Sequence, residues 1–423
     1  MNPSGWKVRF FTIWTGQALS LVGSALVQFA LIWWLTETTG SATTLAAAAA
    51  VGHLPVIFLG PFAGTLVDRW PRKWVLIISD GLIALATALL ALLFWLGIAQ
   101  PWHVFVILFV RSLGDCFQNP AMLSTTPLMV PRDQLTRVAG MNSTLQGAIR
   151  FVAPPLGALL LTLVDVQGIL PLDILTAVAA IVPLFFVPVP QPAAQAMAGS
   201  GLRPVLQGLG EGLRYMWNSP GLRFLNATSA LFPFGVQPLL AFMPLLVTKH
   251  FGGGVLELGW LQSVRGIGTI AGGILLSAGG GWKRHMATSV TGTFGMFVGC
   301  LLVAIAPANA FWLALAGSVL MGVAHAWHMV GIRATQQTVT RPEMQGRFFA
   351  LNQSIFRAMA PLALGVMGPL VDTWGARPLW FVGAAITLVI ALLRRFVPVI
   401  YYIEDVPPVE PVHVSEGMET VAS

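Results

Sequence analysis

The feature that most constrains this chain is the recurrence of apolar runs of about 20 residues or more along its length. A helix of that length crosses a hydrocarbon core about 30 Å thick, and lipid offers the backbone no other hydrogen-bond partner than the helix itself. Of the 423 residues, 56% are hydrophobic and only 9% are charged, which excludes a water-soluble globular domain. The sequence therefore predicts an all-α membrane protein.

Twelve apolar runs, separated by charged or Gly/Pro-rich breaks, are predicted to span the membrane. The first six lie near residues 10–35, 44–66, 74–97, 103–129, 140–163 and 168–187. The second six lie near residues 222–247, 256–279, 287–306, 310–332, 347–370 and 377–398.

The basic residues behind the net charge of +7 predict the topology. With the N-terminus inside, sixteen Lys and Arg, Arg394 among them, fall at cytoplasmic loops or helix ends, and only Lys249 and Arg377 fall outside. Such an excess of Lys and Arg inside is the usual bias of multi-pass proteins. We expect a bacterial inner (cell) membrane protein with both termini cytoplasmic, in contact with lipid and without a nucleic-acid partner.

The longest polar interval before the C-terminal tail divides the predicted spans six and six. We expect an N-terminal half over 1–187, a cytoplasmic linker with an amphipathic helix over 188–221 and a C-terminal half over 222–400. The remaining 401–423 are predicted to form a disordered cytoplasmic tail, because the segment is acidic and rich in Pro and Val.

The two halves repeat a motif at predicted spans five and eleven. Asp133, Arg137 and Asn142 match Glu343, Arg347 and Asn352 at a constant offset of 210 residues, and Arg150 to Pro154 match Arg357 to Pro361 at an offset of 207. Duplicated six-helix halves with a site near the midplane are typical of secondary transporters that alternate access.

A conformational latch is predicted in the loop between spans two and three. The loop reads Gly64-Thr-Leu-Val-Asp68-Arg69-Trp-Pro-Arg72-Lys73. Gly64 would allow close helix approach, and Asp68 would meet Arg347 or a helix N-terminus when the cytoplasmic side is closed. For Arg72 and Lys73 the alternative is that they only set the topology.

This G-x-x-x-D-R-x-x-R-K segment resembles the loop signature of the major facilitator superfamily. The opening of the chain is similar to macrolide-efflux (Mef-type) drug:proton antiporters at Trp6-Lys7, Ile13-Trp14, Gly16-Gln17-Ala18 and Leu35-Thr36-Glu37. The likeness implies a major facilitator fold and export of macrolide-like compounds in exchange for protons. Two features depart from the superfamily pattern: Gly281-Trp282-Lys283-Arg284 lacks an acidic partner, and Ala153-Pro154-Pro155-Leu156-Gly157 stands for Gly-Pro-x-x-Gly-Gly.

Proton coupling needs a carboxylate whose proton affinity responds to burial and to a nearby cation. Asp115 and Arg111 are four residues apart on one predicted helix face and are the first candidates, with a purely structural pair as the alternative. Asp80 is a further candidate, although its position also suits bracing of the cytoplasmic helix ends. Asp173 is expected near the outer end of span six, facing water.

Polar residues inside the spans are predicted to line a substrate cavity, because charges there are costly and need a function or a partner. The candidates are Gln17, Gln28, Asn119, Gln146, Arg150, Gln262, Arg265 and Arg357. For the amides, helix–helix hydrogen bonds are the alternative, and for the arginines it is snorkelling. Arg150 and Arg357 in the cavity would favour an anionic or carboxylate-bearing substrate.

No metal site and no cofactor are expected. His325 and His328 have i, i+3 spacing but no third ligand nearby, and Cys116 and Cys300 show no ligand spacing. The expected partners are a small-molecule substrate and protons, and the chain is expected to be monomeric.

Other functions remain open alongside macrolide-like drug export. Export of a siderophore or another metabolite, or proton symport, would use the same fold. A membrane-embedded enzyme is disfavoured because the sequence has no nucleophile elbow or paired His/Glu metal motif, and an ATP-driven pump because it has no P-loop.

Overall fold

A computed structural model describes residues 5–189, 202–279 and 282–405, without the side chains of 61, 65, 68, 202–209 and 350. Over these ranges the chain is helical and forms no strand. The first six helices are α1 (Gly5–Thr39), α2 (Ala42–Arg69), α3 (Arg72–Trp95), α4 (Pro101–Met129), α5 (Leu135–Leu163) and α6 (Val166–Phe186). After α7 (Leu202–Asn218) follow α8 (Pro220–Ala241), α9 (Met243–Lys249), α10 (Val255–Gly279), α11 (His285–Ile305), α12 (Phe311–Val339), α13 (Pro342–Trp374), α14 (Ala376–Phe396) and α15 (Pro398–Tyr401). Short 3₁₀ helices cover Arg132–Gln134 and Ile403–Asp405.

The twelve predicted spans are confirmed as helices. Nine of the described helices, and the pair α8 and α9, are long and apolar enough to cross a membrane. That pair is bent by 43° at Phe242, where Pro244 opens α9 and cannot donate a helical hydrogen bond. The two remaining long helices, α4 and α10, are less apolar and carry charged residues in their interior.

The helices pack as two halves. In the N-terminal half α1 packs on α5 and α6, and α4 packs on α2 and α3. In the C-terminal half α12 packs on α10 and α11, while α8 packs on α13 and α14. The main contacts between the halves are α2 with α13 and α5 with α10.

Glycines let the C-terminal helices approach closely. A Cβ atom on Gly322 of α12 would lie 2.0 Å from the carbonyl oxygen of Arg265 on α10, and one on Gly292 of α11 would lie 2.3 Å from the amide nitrogen of His328. Small residues at such contacts are the usual means of packing helices in lipid, where no hydrophobic force drives them together.

The two halves touch at the end of the bundle that the charge bias assigns to the outside. Gly368 of α13 lies against Ala46 near the start of α2, and Gly259 near the start of α10 lies against Ala158 of α5. Nearer the opposite end, the facing surfaces of the halves are exposed, as at Arg357. The structure is therefore closed at the end that the charge bias assigns to the outside and open at the other end.

The predicted linker helix is α7, which packs on α13. The Arg347 guanidinium donates to Glu211 at 2.5 Å, and the N–H of Arg341 donates to the hydroxyl oxygen of Tyr215 at 3.3 Å. Residues 190–201 of the predicted linker lie outside the described residues.

The predicted disordered tail starts too early at 401. Glu404 accepts the backbone N–H groups of His285 and Met286 at 3.2 and 2.7 Å and the Thr335 hydroxyl at 2.8 Å, so it caps the N-terminus of α11. Asp405 pairs with Arg284 at 2.8 Å and so gives the loop before α11 an acidic partner from beyond α14, which the sequence analysis did not find. Residues 406–423 lie outside the described part of the chain.

Candidate functional site

One face of α4 passes from the packed interior into an opening. Leu108 and Arg111 are buried, whereas Asp115 and Asn119, one and two turns further toward the cytoplasm, are exposed. Helical periodicity places these four residues on one side of α4, with Val106 on the opposite, exposed side. Asp115 and Asn119 therefore face inward, into space between helices rather than into lipid.

Arg150 of α5 faces the same space. On α5 the residues to one side of Arg150 contact α1, where Gly157 lies against Phe29, and those to the other side contact α10, where Phe151 lies against Gly266. Arg150 itself is exposed between these two packed surfaces. Its side chain is therefore directed to the gap between the halves.

Arg357 of α13 borders this gap from the C-terminal half. It is exposed, and it shares a helix face with Leu364 and with Gly368, which contacts α2. We call the space bordered by Asp115, Asn119, Arg150 and Arg357 the central cavity.

Asp115 forms no hydrogen bond or ion pair through its side chain with any other residue that the structure describes. Its carboxylate faces the central cavity in the middle of α4, one turn from Arg111. A carboxylate at this depth without a direct partner is free to exchange a proton with cavity water or to meet a substrate.

The predicted pair of Arg111 with Asp115 is wrong. Arg111 forms its ion pair with Asp173 of α6, and it also donates to the hydroxyl oxygen of Thr87 at 2.5 Å. The hydroxyl groups of Thr87 and Ser24 each donate to Asp173 at 2.9 Å. The expectation that Asp173 faces water is also wrong, because this carboxylate is fully buried among α1, α3 and α4.

Asp80 lies in the interior of the N-terminal half. The amide of Gln17 donates to its carboxylate at 2.6 Å, and the amide of Gln118 donates both to Asp80 and, at 2.9 Å, to the Gln17 carbonyl oxygen. All three side chains are buried, so they tie α1, α3 and α4 together. Gln118 was missed in the sequence, although it lies two turns from Arg111 on the same buried face of α4.

The structure divides the other predicted cavity residues. Gln28, Asn119 and Gln146 are exposed, and Gln262 is partly buried. Gln17 is the exception, because it is 5% exposed and bonded to Asp80, so it belongs to the helix contacts that were the alternative interpretation.

Arg265 of α10 is partly buried beside the central cavity. Its Nε atom is buried and has no hydrogen-bond partner among the described residues. Gly266, next to Arg265, lies against Phe151, next to Arg150 on α5, and Gly322 of α12 lies against the Arg265 carbonyl oxygen. These contacts bring α5, α10 and α12 together around Arg265.

In this open state the predicted latch loop makes its described contacts within the N-terminal half. Arg72 donates to the carbonyl oxygen of Ser124 at 2.7 Å, and Lys73 donates to that of Phe185 at 3.1 Å. Gly64 is not used for close packing, because a Cβ atom there would meet nothing within 4 Å.

The partners of the remaining latch residues are those of the open state. Arg69 is exposed at the end of α2, the Asp68 side chain lies outside the described residues, and Arg347 is paired with Glu211. A latch between Asp68 and Arg347 in the state closed toward the cytoplasm stays a prediction.

A buried cationic cluster in the C-terminal half was missed. Arg394, assigned from the sequence to a cytoplasmic helix end, is fully buried. It contacts Nδ1 of His328 at 3.2 Å and donates to Thr228, Ser229 and Ser289 at 3.1 to 3.2 Å. Because guanidinium can only donate, Nδ1 of His328 accepts, and the ring stacks on Phe232 at 4.1 Å. Only the i, i+3 histidine spacing hinted at this cluster.

The sequence of this chain matches a known protein family. The model of the Major Facilitator Superfamily matches residues 13–364 and 225–418. Macrolide efflux protein A of Streptococcus pyogenes is 31% identical over 391 residues, covering 92% of this chain and 96% of that protein. The multidrug efflux pump Tap of Mycolicibacterium fortuitum is 26% identical, covering 89% of this chain and 92% of the pump.

A solved structure agrees with the observed fold. A bacterial homologue of the iron transporter ferroportin, in its inward-facing state, superimposes with a TM-score of 0.71 at 16% identity. The match covers 92% of this chain and 98% of that one. At this identity the likeness concerns the fold alone.

Proposed function

This chain belongs to the Major Facilitator Superfamily, and we propose that it exports bulky hydrophobic or amphiphilic compounds, macrolide-like drugs among them, in exchange for protons. The observation that carries the proposal is Asp115, an acid without a direct partner that faces the central cavity. The family relationship to efflux proteins supplies the transport direction in this proposal.

Asp115 is suited to exchange protons because its ionised form is costly at this depth. Insertion scales put the cost of a charge at the centre of a membrane helix at about 2.5–3.5 kcal/mol. A proton from the outer side removes that charge, and so does a bound substrate that offers a cation or a hydrogen-bond donor. Occupancy by proton and by substrate is then mutually exclusive, which is the requirement for antiport.

Other residues of the N-terminal half determine which charges lie near Asp115. Arg111 lies one turn away on the same helix but is neutralised by the buried Asp173. Arg111 therefore affects Asp115 as part of an ion pair and leaves the Asp115 carboxylate available. Asp80 is a second candidate, since it is buried among neutral amides and has no cationic partner in the described chain.

Transport would require the cavity to close at its open end and to open at the end that is now closed. We assign the open end of the observed cavity to the cytoplasm, where a drug would enter. Separation of α2 from α13 and of α5 from α10 at the outer end would release it and let a proton reach Asp115. We further propose a bacterial cell membrane location with both termini cytoplasmic, and a monomer as the working unit.

Drug accumulation in cells that lack their own efflux pumps tests the proposal. We expect the wild-type protein to lower accumulation of a radiolabelled macrolide, and a protonophore to abolish that effect. Asp115→Asn should abolish it too, while the matched surface variant Asp165→Asn, in the turn between α5 and α6, should export normally.

Three outcomes separate the alternatives. Export that survives the protonophore would contradict proton coupling. Export by Asp115→Asn at the wild-type rate would remove Asp115 from the mechanism. No export of any compound in a broad panel of drugs, at normal expression, would favour a carrier for a metabolite.

A further inference from the structure

Arg150, Arg265 and Arg333, which we call the arginine pole, have no partner assigned to them. Arg150 comes from the N-terminal half, and the other two come from α10 and α12 of the C-terminal half. Gly266, next to Arg265, lies against Phe151, next to Arg150, and Arg333 shares a face of α12 with Gly322, which lies against the carbonyl oxygen of Arg265. Among the described residues, none of the three arginines forms an ion pair or a side-chain hydrogen bond.

The helices around the arginine pole cannot neutralise it. The sequences of α5, α8, α11, α12 and α14 contain no Asp or Glu. The single acid of α10, Glu257, lies in the first turn and accepts the N–H of Gly254 at 2.7 Å. Asp115 of α4 borders the same cavity but forms no ion pair with the pole, so the three arginines have no anionic partner among the described residues.

The donors of the pole are in place for an anion. Arg150 is exposed to the central cavity, and the Nε atom of Arg265 is a buried donor without an acceptor. Guanidinium groups bind planar oxyanions through paired hydrogen bonds, which a lysine cannot reproduce.

We propose that the arginine pole binds the carboxylate, sulfonate or phosphate group of an amphiphilic substrate, whose apolar body lies in the central cavity. This inference rests on the proposed export function and names a substrate class for it. With Asp115 on α4 and the arginine pole on α5, α10 and α12, the cavity has an acidic side and a basic side. A zwitterionic amphiphile fits both.

A matched pair of fluorescent probes tests the proposal on the full-length protein in nanodiscs. 1-Anilinonaphthalene-8-sulfonate carries a sulfonate, and N-phenyl-1-naphthylamine has the same aromatic body without it. We expect Arg150→Gln and Arg265→Gln to weaken binding of the sulfonate about tenfold and to leave binding of the neutral probe unchanged. The control Arg223→Gln, at the cytoplasmic start of α8, should change neither.

Variants with intact folding keep the test decisive. Arg150 is exposed, so Arg150→Gln disturbs no packing, and Arg150→Lys should restore only part of the sulfonate affinity. An equal loss for both probes, or no loss for either, would overturn the anion site. Export of the neutral probe, measured in parallel, reports on the proposed export function separately.

The anion has two possible sources, and the lipid composition distinguishes them. If a lipid headgroup occupies the pole, nanodiscs of phosphatidylglycerol should compete with the sulfonate in the wild type and not in Arg150→Gln. If a free substrate is the ligand, phosphatidylglycerol and phosphatidylcholine nanodiscs should give the same sulfonate affinity. Both results support the anion site.

Discussion

The carboxylate of Asp372, at the end of α13, accepts the backbone N–H of Ala42, the first residue of α2, at 2.6 Å. The same carboxylate accepts the N–H of Thr43 at 2.9 Å and the Ser41 hydroxyl at 3.0 Å. An acid of the C-terminal half thus caps the positive N-terminus of a helix in the N-terminal half.

Lys249 of α9 forms a second contact with the same turn, on its other side. Gly40, at φ +58°, ends α1, and its carbonyl oxygen accepts the Lys249 ammonium group at 2.5 Å. The α1–α2 turn is therefore held by Asp372 at a helix N-terminus and by Lys249 at a helix C-terminus, each with the sign that the helix dipole favours. Opening toward the outside must break both contacts, so we call them the outer clasp.

Asp372→Asn should shift the protein toward the outward-open state. Loss of the charge removes about 1 kcal/mol from an exposed cap, which changes the ratio of the two states about fivefold. Spin labels at Ile98 and Trp312, exposed at the outer ends of the two halves, should report a larger long-distance population. Asp165→Asn serves as the control, and an unchanged distance distribution in Asp372→Asn would show that the clasp does not hold this state.

Asp173→Asn should destabilise the protein far more than Asp115→Asn. The first change leaves Arg111 buried without its counter-charge, at a cost of about 3–5 kcal/mol, whereas the second alters an exposed group without a direct partner. Thermal unfolding of the purified variants, followed by tryptophan fluorescence, measures both. Equal unfolding temperatures for the two would mean that Arg111 is neutralised in another way.

Deletion of residues 406–423 should leave thermal stability unchanged, whereas deletion from 402 onward should lower it. The longer deletion removes Glu404 and with it the cap of α11, which is worth about 1 kcal/mol. Glu404→Gln is the point variant for the same loss, since it keeps one acceptor and removes the charge. If both deletions behave alike, Glu404 does not stabilise α11.

Gly64→Ala separates packing in the observed state from the predicted latch. The added methyl group meets open space here and Ala favours a helix more than Gly, so the unfolding temperature should not fall and probe affinity should not change. If Gly64 packs closely when the cytoplasmic side closes, the same variant should transport more slowly. Gly322→Ala is the contrast, because its methyl group would clash with the Arg265 carbonyl oxygen and lower stability in any state.

Hydropathy predicted the spans, the polar interval and the internal repeat predicted the two halves, and the loop motif carried the resemblance to the family, because each depends on short stretches of sequence. The contacts of the site depend on helix rotation and packing, which these patterns do not contain. The i, i+4 spacing thus suggested Asp115 as the partner of Arg111, while the actual partner, Asp173, comes from another helix.

The other differences have the same origin. Arg394 lies near the end of its helix in the sequence, but helix packing buries it in a polar cluster. Arg284 pairs with Asp405, which lies more than 100 residues later in the sequence, so the local sequence around Arg284 does not indicate the pair. By contrast, the internal repeat predicted equivalent positions for Arg150 and Arg357, and both side chains are exposed in the structure.

The most direct test of the account is transport of a radiolabelled macrolide into everted membrane vesicles that contain the wild-type protein or Asp115→Asn. An imposed pH gradient, acid inside, should drive uptake by the wild type above equilibrium. Asp115→Asn should show no gradient-driven uptake and should keep substrate counterflow, because exchange of substrate needs no proton. Gradient-driven uptake by Asp115→Asn at the wild-type level would contradict the assignment of proton coupling to this carboxylate.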